Sequence, residues 1–449
     1  MRATLAIRGG RVLDPARGLD TTADVLIEGG RIADVGPGLA NDVDNVIDAQ
    51  RLVVCPGFVD IHCHLRDPGF EQKETIETGT RAAARGGFTT VCCMPNTEPP
   101  IDSRASVEYV LRTAAAVGAV RVLPIGCVSR GRRGETLAEL AELAEAGVVG
   151  FSDDGNPVAD GALMRRALEY SRVLGLPVID HCEDPSLAKD GVMHEGWVAT
   201  RLGLRGQPAA AEEAAVARDI ALAEFTGSHV HIAHVSSRGS VDLVRAAKAR
   251  GVNVTAEVTP HHLTLTHEAV GYSGGGNDGL AYDTNAKVNP PLRTPEDVEA
   301  CVEGLLDGTI DAIATDHAPH ALEDKLCEFD QAAFGISNLE TALGALLTLV
   351  PGGRVDLLTI VQKLTAGPVG ALGLDRRAGL EDLGSLSPGA PADLVVLDPQ
   401  REWVVELERF ASKGRNTPLA GRTLRGQVVA TVCGGRVVYT LEGAGIAAM

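Results

Sequence analysis

The chain predicts an α/β protein: a (β/α)8 TIM-type barrel with a composite β-sandwich domain formed by both chain termini. Three observations carry this. Short strand-like segments crowd both ends of the sequence. Between them, apolar runs alternate with helical stretches. Five of those runs finish on residues able to bind a divalent metal: His62 and His64 in VDIHCHLR, Asp153-Asp154 in VVGFSDDG, His181 in PVIDHCED, His234 in HVHIAHVS, and Asp316 in DAIATDHAPH. Polar residues at the C-terminal ends of parallel barrel strands converge on one mouth. The length of 449 residues suits a barrel of roughly 250 residues or more plus an accessory domain.

Residues 1–56 read as short strands. TLAIRGGRVLD, ADVLIEGGRIADVG and NVIDAQRLVVCPG alternate apolar and polar positions around Gly and Pro punctuation. Residues 385–449 return to this style in ADLVVLDP, EWVVE and GQVVATVCGGRVVYT. Two similar β-rich ends predict one composite domain, with the barrel, 57–384, inserted between them. Its eight expected strands are Gly57–His64, Thr89–Met94, Val120–Ile125, Val148–Ser152, Pro177–His181, Val230–His234, Asn253–Glu257 and Ala312–Thr315. The gaps hold stretches such as IETGTRAAARG, TLAELAELAEAG, ALMRRALEYSRVLG, EEAAVARDIALAEFTG and SVDLVRAAKARG, with helical apolar spacing and a closing glycine. Two long loops follow: a Gly-rich stretch over 272–291, expected as a surface insertion, and HALEDKLCEFDQAAFG, placed to act as a lid over the mouth.

Apolar residues at 45% supply a large core, and aromatics at 3% leave it to aliphatic packing. A formal charge of −19 argues against nucleic acid or anionic membrane as partner, while leaving room for a local cationic pocket. No secretory signal and no apolar run of about 18 residues is seen. The nine cysteines are scattered without a CxxC pair, as buried thiols in a reducing compartment would be. A cytoplasmic protein is expected.

On an extended strand, His62 and His64 project to one face and Cys63 to the other. Four imidazoles and two carboxylates exceed the roughly three protein ligands of one catalytic zinc, which predicts a hydrolase with two metals sharing a bridge. A lone strand-end histidine is ordinarily structural; His181 and His234 gain weight because they end separate strands at equivalent places. Asp316 can be a turn aspartate, or a metal ligand that also carries a proton. Local patterning does not choose between Asp153 and Asp154 as the bridge. Arg66, beside the histidines, can hold a carboxylate by two parallel bonds. His261 and His262 are expected in supporting or packing roles. His194, His229, His231 and His267 are expected at the surface or in packing without convergent partners, and Lys189 and Lys325 as neutralisers of acidic surface.

VDIHCHLRDPGFEQKETIETGTRAAARGGFTTVCCMPNTEPP resembles the first barrel segment of dihydroorotases in the amidohydrolase superfamily. GFSDDGNPV, MRRALEYSRVLGLPVIDHCED, HIAHVSS, VTAEVTPHHL, KVNPPLR and IATDHAPH follow in that family's order, and the resemblance is to the bacterial class I form. It implies interconversion of L-dihydroorotate and N-carbamoyl-L-aspartate in pyrimidine (UMP) synthesis. It implies two Zn2+ ions held by His62, His64, Asp154, His181, His234 and Asp316, with Asp154 as bridge in place of the carbamylated lysine of many relatives. A metal-bridging hydroxide would attack the ring amide, and Asp316 would shuttle its proton to the leaving nitrogen. Substrate contacts would come from His64, Leu65, Arg66, Asn96, Asn289 and His320, and from the backbone of Phe334 and Gly335. A homo-oligomer and association with aspartate transcarbamoylase are also implied. The competing expectations are a hydantoinase- or allantoinase-like cyclic amidase, and a catalytically silent scaffold for that transcarbamoylase. The aspartate bridge and the Arg66/Asn96/His320 set count against the first. Six filled ligand positions count against the second.

Overall fold

The computed structural model describes residues 4–41, 43, 45–271 and 282–442; the first half of the Gly-rich stretch, 272–281, lies outside them. The middle of the chain is strand–helix alternation. Phe58–Cys63, Phe88–Cys93 and Arg121–Pro124 form one parallel sheet. Val178–Asp180, Val230–Ile232, Val254–Val258 and Ala312–Ile313 form another. Single-residue parallel pairings connect the two sets: Phe151 bridges Gly126 and Val178, and His317 bridges Cys63. Pairing therefore leads from each strand to the next in chain order, and from the last back to the first.

The expected fourth strand, Val148–Ser152, is reduced to the bridge at Phe151. Its backbone is satisfied on both sides all the same, Val149 N–H donating to Pro124 O (3.0 Å), Phe151 N–H to Pro177 O (3.1 Å) and Ser152 N–H to Gly126 O (2.8 Å). The sixth and eighth strands stop short of His234 and Asp316 for a local reason. Both residues adopt left-handed backbone (φ 34° and 44°), which a ladder cannot continue through. The strands deliver the two side chains and then turn away.

The helices follow their sequence signals closely. Ile76–Gly86 starts at a Thr75 capping box and ends where Gly87 takes φ 90°. Leu140–Ala146 starts later than the expected TLAELAELAEAG segment because Leu137 pairs with Ser129 instead. Aliphatic side chains on these helices pack against the outside of the strands, among them Ile76, Val107, Leu163, Val216 and Val241. A second cluster combines strand residues Val59, Ile61, Ile125, Ile179 and Ala312 with Val369, Leu372, Leu374 and Leu383.

The two chain ends share one eight-stranded sheet. Its order is Arg436–Thr440, Thr423–Cys433, Leu394–Val404, Val53–Pro56, Thr4–Asp14, Leu19–Glu28 and Arg31–Gly36, with Asn45–Asp48 also paired to Thr4–Asp14. Antiparallel pairing of Leu394–Leu397 with 53–56 is the seam between the ends. The sheet has its own core, including Leu5, Ile7, Val25, Val54, Leu394 and Val432.

The end of the helix Ile76–Gly86 approaches the turn at Leu339 closely, and a Cβ added at Gly86 would sit 2.0 Å from the Leu339 carbonyl oxygen. Because that obstacle is backbone, Gly86→Ala is expected to cost about 1–3 kcal/mol, read as a lowered urea midpoint; an unchanged midpoint would show that the turn gives way freely.

Candidate active site

His62 and His64 leave the strand Phe58–Cys63 on one face, ring centroids 5.5 Å apart. His62 Nδ1 lies 2.6 Å from Glu257 Oε1. A carboxylate only accepts, so Nδ1–H donates and Nε2 is turned inward. There it meets Asp154 Oδ1 at 3.3 Å and Asp316 Oδ1 at 3.6 Å. His64 Nε2 is 3.1 Å from Asp316 Oδ1 and 3.6 Å from Asp154 Oδ2, and its Nδ1 is 2.8 Å from Asn96 Oδ1. His181 Nδ1 and His234 Nε2 are 2.9 Å apart and face Asp154 Oδ1 at 3.7 and 3.8 Å. All six side chains are buried.

Burial works against charge on both Asp154 and His62, yet their mutual attraction prevails: Asp154 is held well below the usual carboxylate range and His62 well above that of an imidazole. Burial likewise opposes an imidazolium at His181, but bonds to Asp154 and Glu183 push it up to about 10. Asp316 is lowered despite its burial by His64 and His62. Two overlapping triads, His62/His64/Asp316 and His62/Asp154/His234, bring one ligand atom from each residue within 4.8 Å of the others. His62 Nε2, Asp154 Oδ1 and His234 Nδ1 are buried without a hydrogen-bond partner. Unpaired buried polar atoms carry a desolvation cost, and here two of them face each other across the centre. The donor set therefore fits divalent metal. A third group, Asp180/Cys182/Asp219, is already neutralised by Arg218, 2.7 Å from Asp219 and 3.5 Å from Asp180.

Asp153 points elsewhere. Its Oδ1 accepts from the Val128 and Ser129 amides at 2.9 and 3.0 Å, fixing the neighbouring loop. Arg66, at φ 61°, donates from Nε to Pro319 O at 3.3 Å. Burial lowers its guanidinium to about 10, still charged at neutral pH. His320 Nε2 donates to Phe334 O (2.8 Å), and Lys73 Nζ is 3.4 Å from its Nδ1. Burial and the charges of Arg66, Lys325 and Lys73 hold His320 down to about 3, so it faces the site neutral. Asn289 donates to Glu183 Oε2 (2.8 Å) and lies 3.2 Å from His181 Nε2. The Leu65 side chain is buried beside Gly79, leaving only its backbone for a ligand. Gly335 N–H is already donated to Lys287 O at 2.9 Å. Arg66, His320, Phe334 and Gly335 thus share one wall, with Asn96 behind His64 and Asn289 behind His181.

Two expectations are corrected. His231 does have a convergent partner: its Nε2 is 3.1 Å from Glu257 Oε2, on the carboxylate that holds His62. Lys325 is not a surface charge. It is buried, and its Nζ donates to Thr284 O (3.0 Å), Lys287 O (3.3 Å) and Ala333 O (2.6 Å), because the loop 320–335 folds its own cation inward and is tied by it to the segment 284–287. His261 and His262 are both buried in packing contacts, with Asn338 Nδ2 2.7 Å from His261 Nδ1. Residues unmarked by the sequence reading are Glu257, Asp60, Lys73, Glu183 and His317. Asp60 accepts from Thr315 N–H (2.9 Å) and Thr315 Oγ1–H (2.5 Å), clamping the eighth strand to the first. A signal existed for Asp60 and Glu257, since a carboxylate inside an apolar strand is buried only with partners.

The fold and this site define an amidohydrolase. Residues 307–439 match the amidohydrolase family, and residues 51–240 match the dihydro-orotase-like family. Among solved structures, the L-hydantoinase (dihydropyrimidinase) of Arthrobacter aurescens superposes with a TM-score of 0.84 at 26% identity, covering 97% of both chains. The D-hydantoinase of a Thermus species gives 0.79 at 26% identity, covering 98% of this chain and 97% of its own. Sequence relatives are closer. Dihydroorotase of Pelotomaculum thermopropionicum is 55% identical over 97% of this chain and 98% of its own length, and that of Geobacter sp. strain M21 is 53% identical over 97% and 99%. The chain belongs to the dihydroorotase family.

Two outcomes follow from this geometry. Glu257→Gln removes the charge that orients His62, so divalent-metal affinity, measured by chelator competition, is expected to fall about 10- to 100-fold; unchanged affinity would reduce Glu257 to packing. Burial and nearby Lys287 hold Lys325 down to about 7. Above that pH the folded chain has released a proton that the unfolded chain keeps until about 10, so this group adds stability as pH rises from 7 to 10. Lys325→Met is expected to remove that increment from the pH dependence of urea unfolding, and an unaltered profile would sink the assignment.

Proposed function

We propose that this protein hydrolyses L-dihydroorotate to N-carbamoyl-L-aspartate and catalyses the reverse closure, as a class I bacterial dihydroorotase of the cytoplasm using two zinc ions. The carrying observation is the convergence of four imidazoles and two carboxylates on one buried centre, with His62 Nε2 and Asp154 Oδ1 left unpaired. His62, His64, Asp154, His181, His234 and Asp316 would hold the metals, with Asp154 between them. Bound there, the metals supply a low-pKa water and a polarised carbonyl. Residues 57–384 are read as a (β/α)8 barrel, supported by the cyclic order of strand pairing. Residues 1–56 and 385–449 are read as a composite β-sandwich domain, supported by the shared terminal sheet and its bulges.

The side chains divide the chemistry. Arg66 accepts the substrate carboxylate between two parallel N–H bonds, with neutral His320 and Asn96 fixing its plane. Asn289 and the backbone of Leu65, Phe334 and Gly335 bound the ring. Oxygen from water adds to the ring amide carbon, the carbon–nitrogen bond breaks, and Asp316 carries the water proton to the departing nitrogen. Closure reverses each step. A homo-oligomer and association with aspartate transcarbamoylase belong to the same reading. A hydantoinase-like cyclic amidase is the second reading, favoured by the fold superposition; a carboxylate-binding Arg66 suits a neutral hydantoin ring poorly.

Zinc-loaded protein is expected to release carbamoyl-aspartate from L-dihydroorotate, and chelator-treated protein is not. Turnover of hydantoin or allantoin alone would transfer the assignment to the second reading. Asp316→Asn is expected to lower turnover by about 100- to 10,000-fold with an unchanged Tm; near-normal turnover would remove Asp316 from proton transfer.

A further inference from the structure

One side chain outside the barrel sequence touches both ends of the loop that carries His320 and Gly335. Asn416 belongs to the C-terminal segment and is buried. Its Oδ1 accepts from His320 N–H at 2.9 Å and from Ser337 Oγ–H at 3.0 Å. Its Nδ2 donates to Ala318 O at 2.9 Å and to Gly335 O at 3.0 Å. Both hydrogens and both acceptor directions of the carboxamide are thereby used. Its own carbonyl accepts from Ser337 N–H at 2.8 Å.

The segment around it is itself anchored. Glu340 accepts from the Ala411 and Ser412 amides at 3.0 and 3.2 Å. The Ser412 hydroxyl bonds Glu74 and accepts from Gly414 N–H (3.1 Å). Gly414 lies so close to Pro319 that an added Cβ would be 2.3 Å from it. Asn416 therefore presents a fixed template rather than following the loop.

We infer that Asn416 is a positioning residue for substrate: its carboxamide sets the spacing between His320 and Gly335, making the C-terminal segment part of the binding wall. The inference rests on the reading of His320 and Gly335 as substrate contacts. His320 Nε2 also bonds Phe334 O at 2.8 Å, so its ring depends on the same spacing. None of the four hydrogen bonds of the Asn416 side chain goes to a metal-facing side chain, which separates its effect from theirs. Losing contacts made equally to substrate and transition state raises KM and leaves kcat.

Asn416→Asp keeps the two acceptors, removes the two donors and sets an anion against the Ala318 and Gly335 carbonyls. Asn416→Ser is the milder variant. In zinc-loaded protein, Asn416→Asp is expected to raise KM for L-dihydroorotate by about 10-fold or more, with kcat within about threefold and zinc content unchanged; Asn416→Ser is expected to fall between it and the parent. Hydrogen exchange should quicken over 320–335 and stay as in the parent elsewhere. KM within twofold of the parent, or kcat and zinc content falling in step with KM, would overturn the inference. So would exchange that quickens throughout the chain. Exchange is read without substrate, so a parent protein inactive on dihydroorotate would sink the assigned reaction while the clasp is still judged.

Discussion

A carboxylate enclosed by imidazoles is the constraint around which the interior is organised. Asp154 meets His62, His64, His181 and His234 at 3.3 to 3.8 Å, in a place where neither charge nor an unpaired lone pair is tolerated cheaply. Each imidazole must therefore be aimed by something behind it. Glu257 aims His62, Asn96 aims His64, and Asn289 and Glu183 lie behind His181. The supporting carboxylates need partners in turn. Glu257 takes His231, and burial alone would lift Asp60, which remains up at about 7 despite its bonds to Thr315 and His62. The polar interior is thus layered outward from one atom, Asp154 Oδ1, until Thr255 bonds His231 Nδ1 at 2.8 Å.

The global charge of −19 gives no hint of the local field at the substrate wall. Arg66, Lys73 and Lys325 gather about His320 and keep it neutral. The superposable hydantoinases share the scaffold, and a shared scaffold does not by itself fix the substrate, which is set by the side chains grafted on it.

The strand ends that converge on Asp154 were legible because HxH, a terminal histidine and a terminal aspartate sit at positions defined by strand period alone. Seven of the eight expected strands lie within two residues of those seen. The fourth is reduced to Phe151, which bridges Gly126 and Val178, although Val148–Phe151 is an apolar, fully buried run of the kind a central strand shows. The supporting set was less legible. Glu257 is distant in sequence from His62 and reaches it from a strand with which Phe58–Cys63 does not pair, and His231 bonds Glu257 from the strand beside it. Asp153 and Asp154 are equivalent as letters, and only the Val128–Ser129 loop, which claims Asp153, distinguishes them. Lys325 reads as a surface lysine until the loop around it is folded. Asn416 lies in a stretch whose pattern speaks only of turns.

The seam between Val53–Pro56 and Leu394–Leu397 bears on how the molecule is made. The first strands synthesised must wait, with one edge unpaired, for more than three hundred residues to emerge before their partner arrives. Glu74 waits likewise for Ser412, and the loop 320–335 for the clasp beyond it. The metal-facing side chains all precede that point in the chain. During translation, then, the mouth can assemble its donors before its wall is braced, and the segment around Asn416, emerging after them, completes the enclosure.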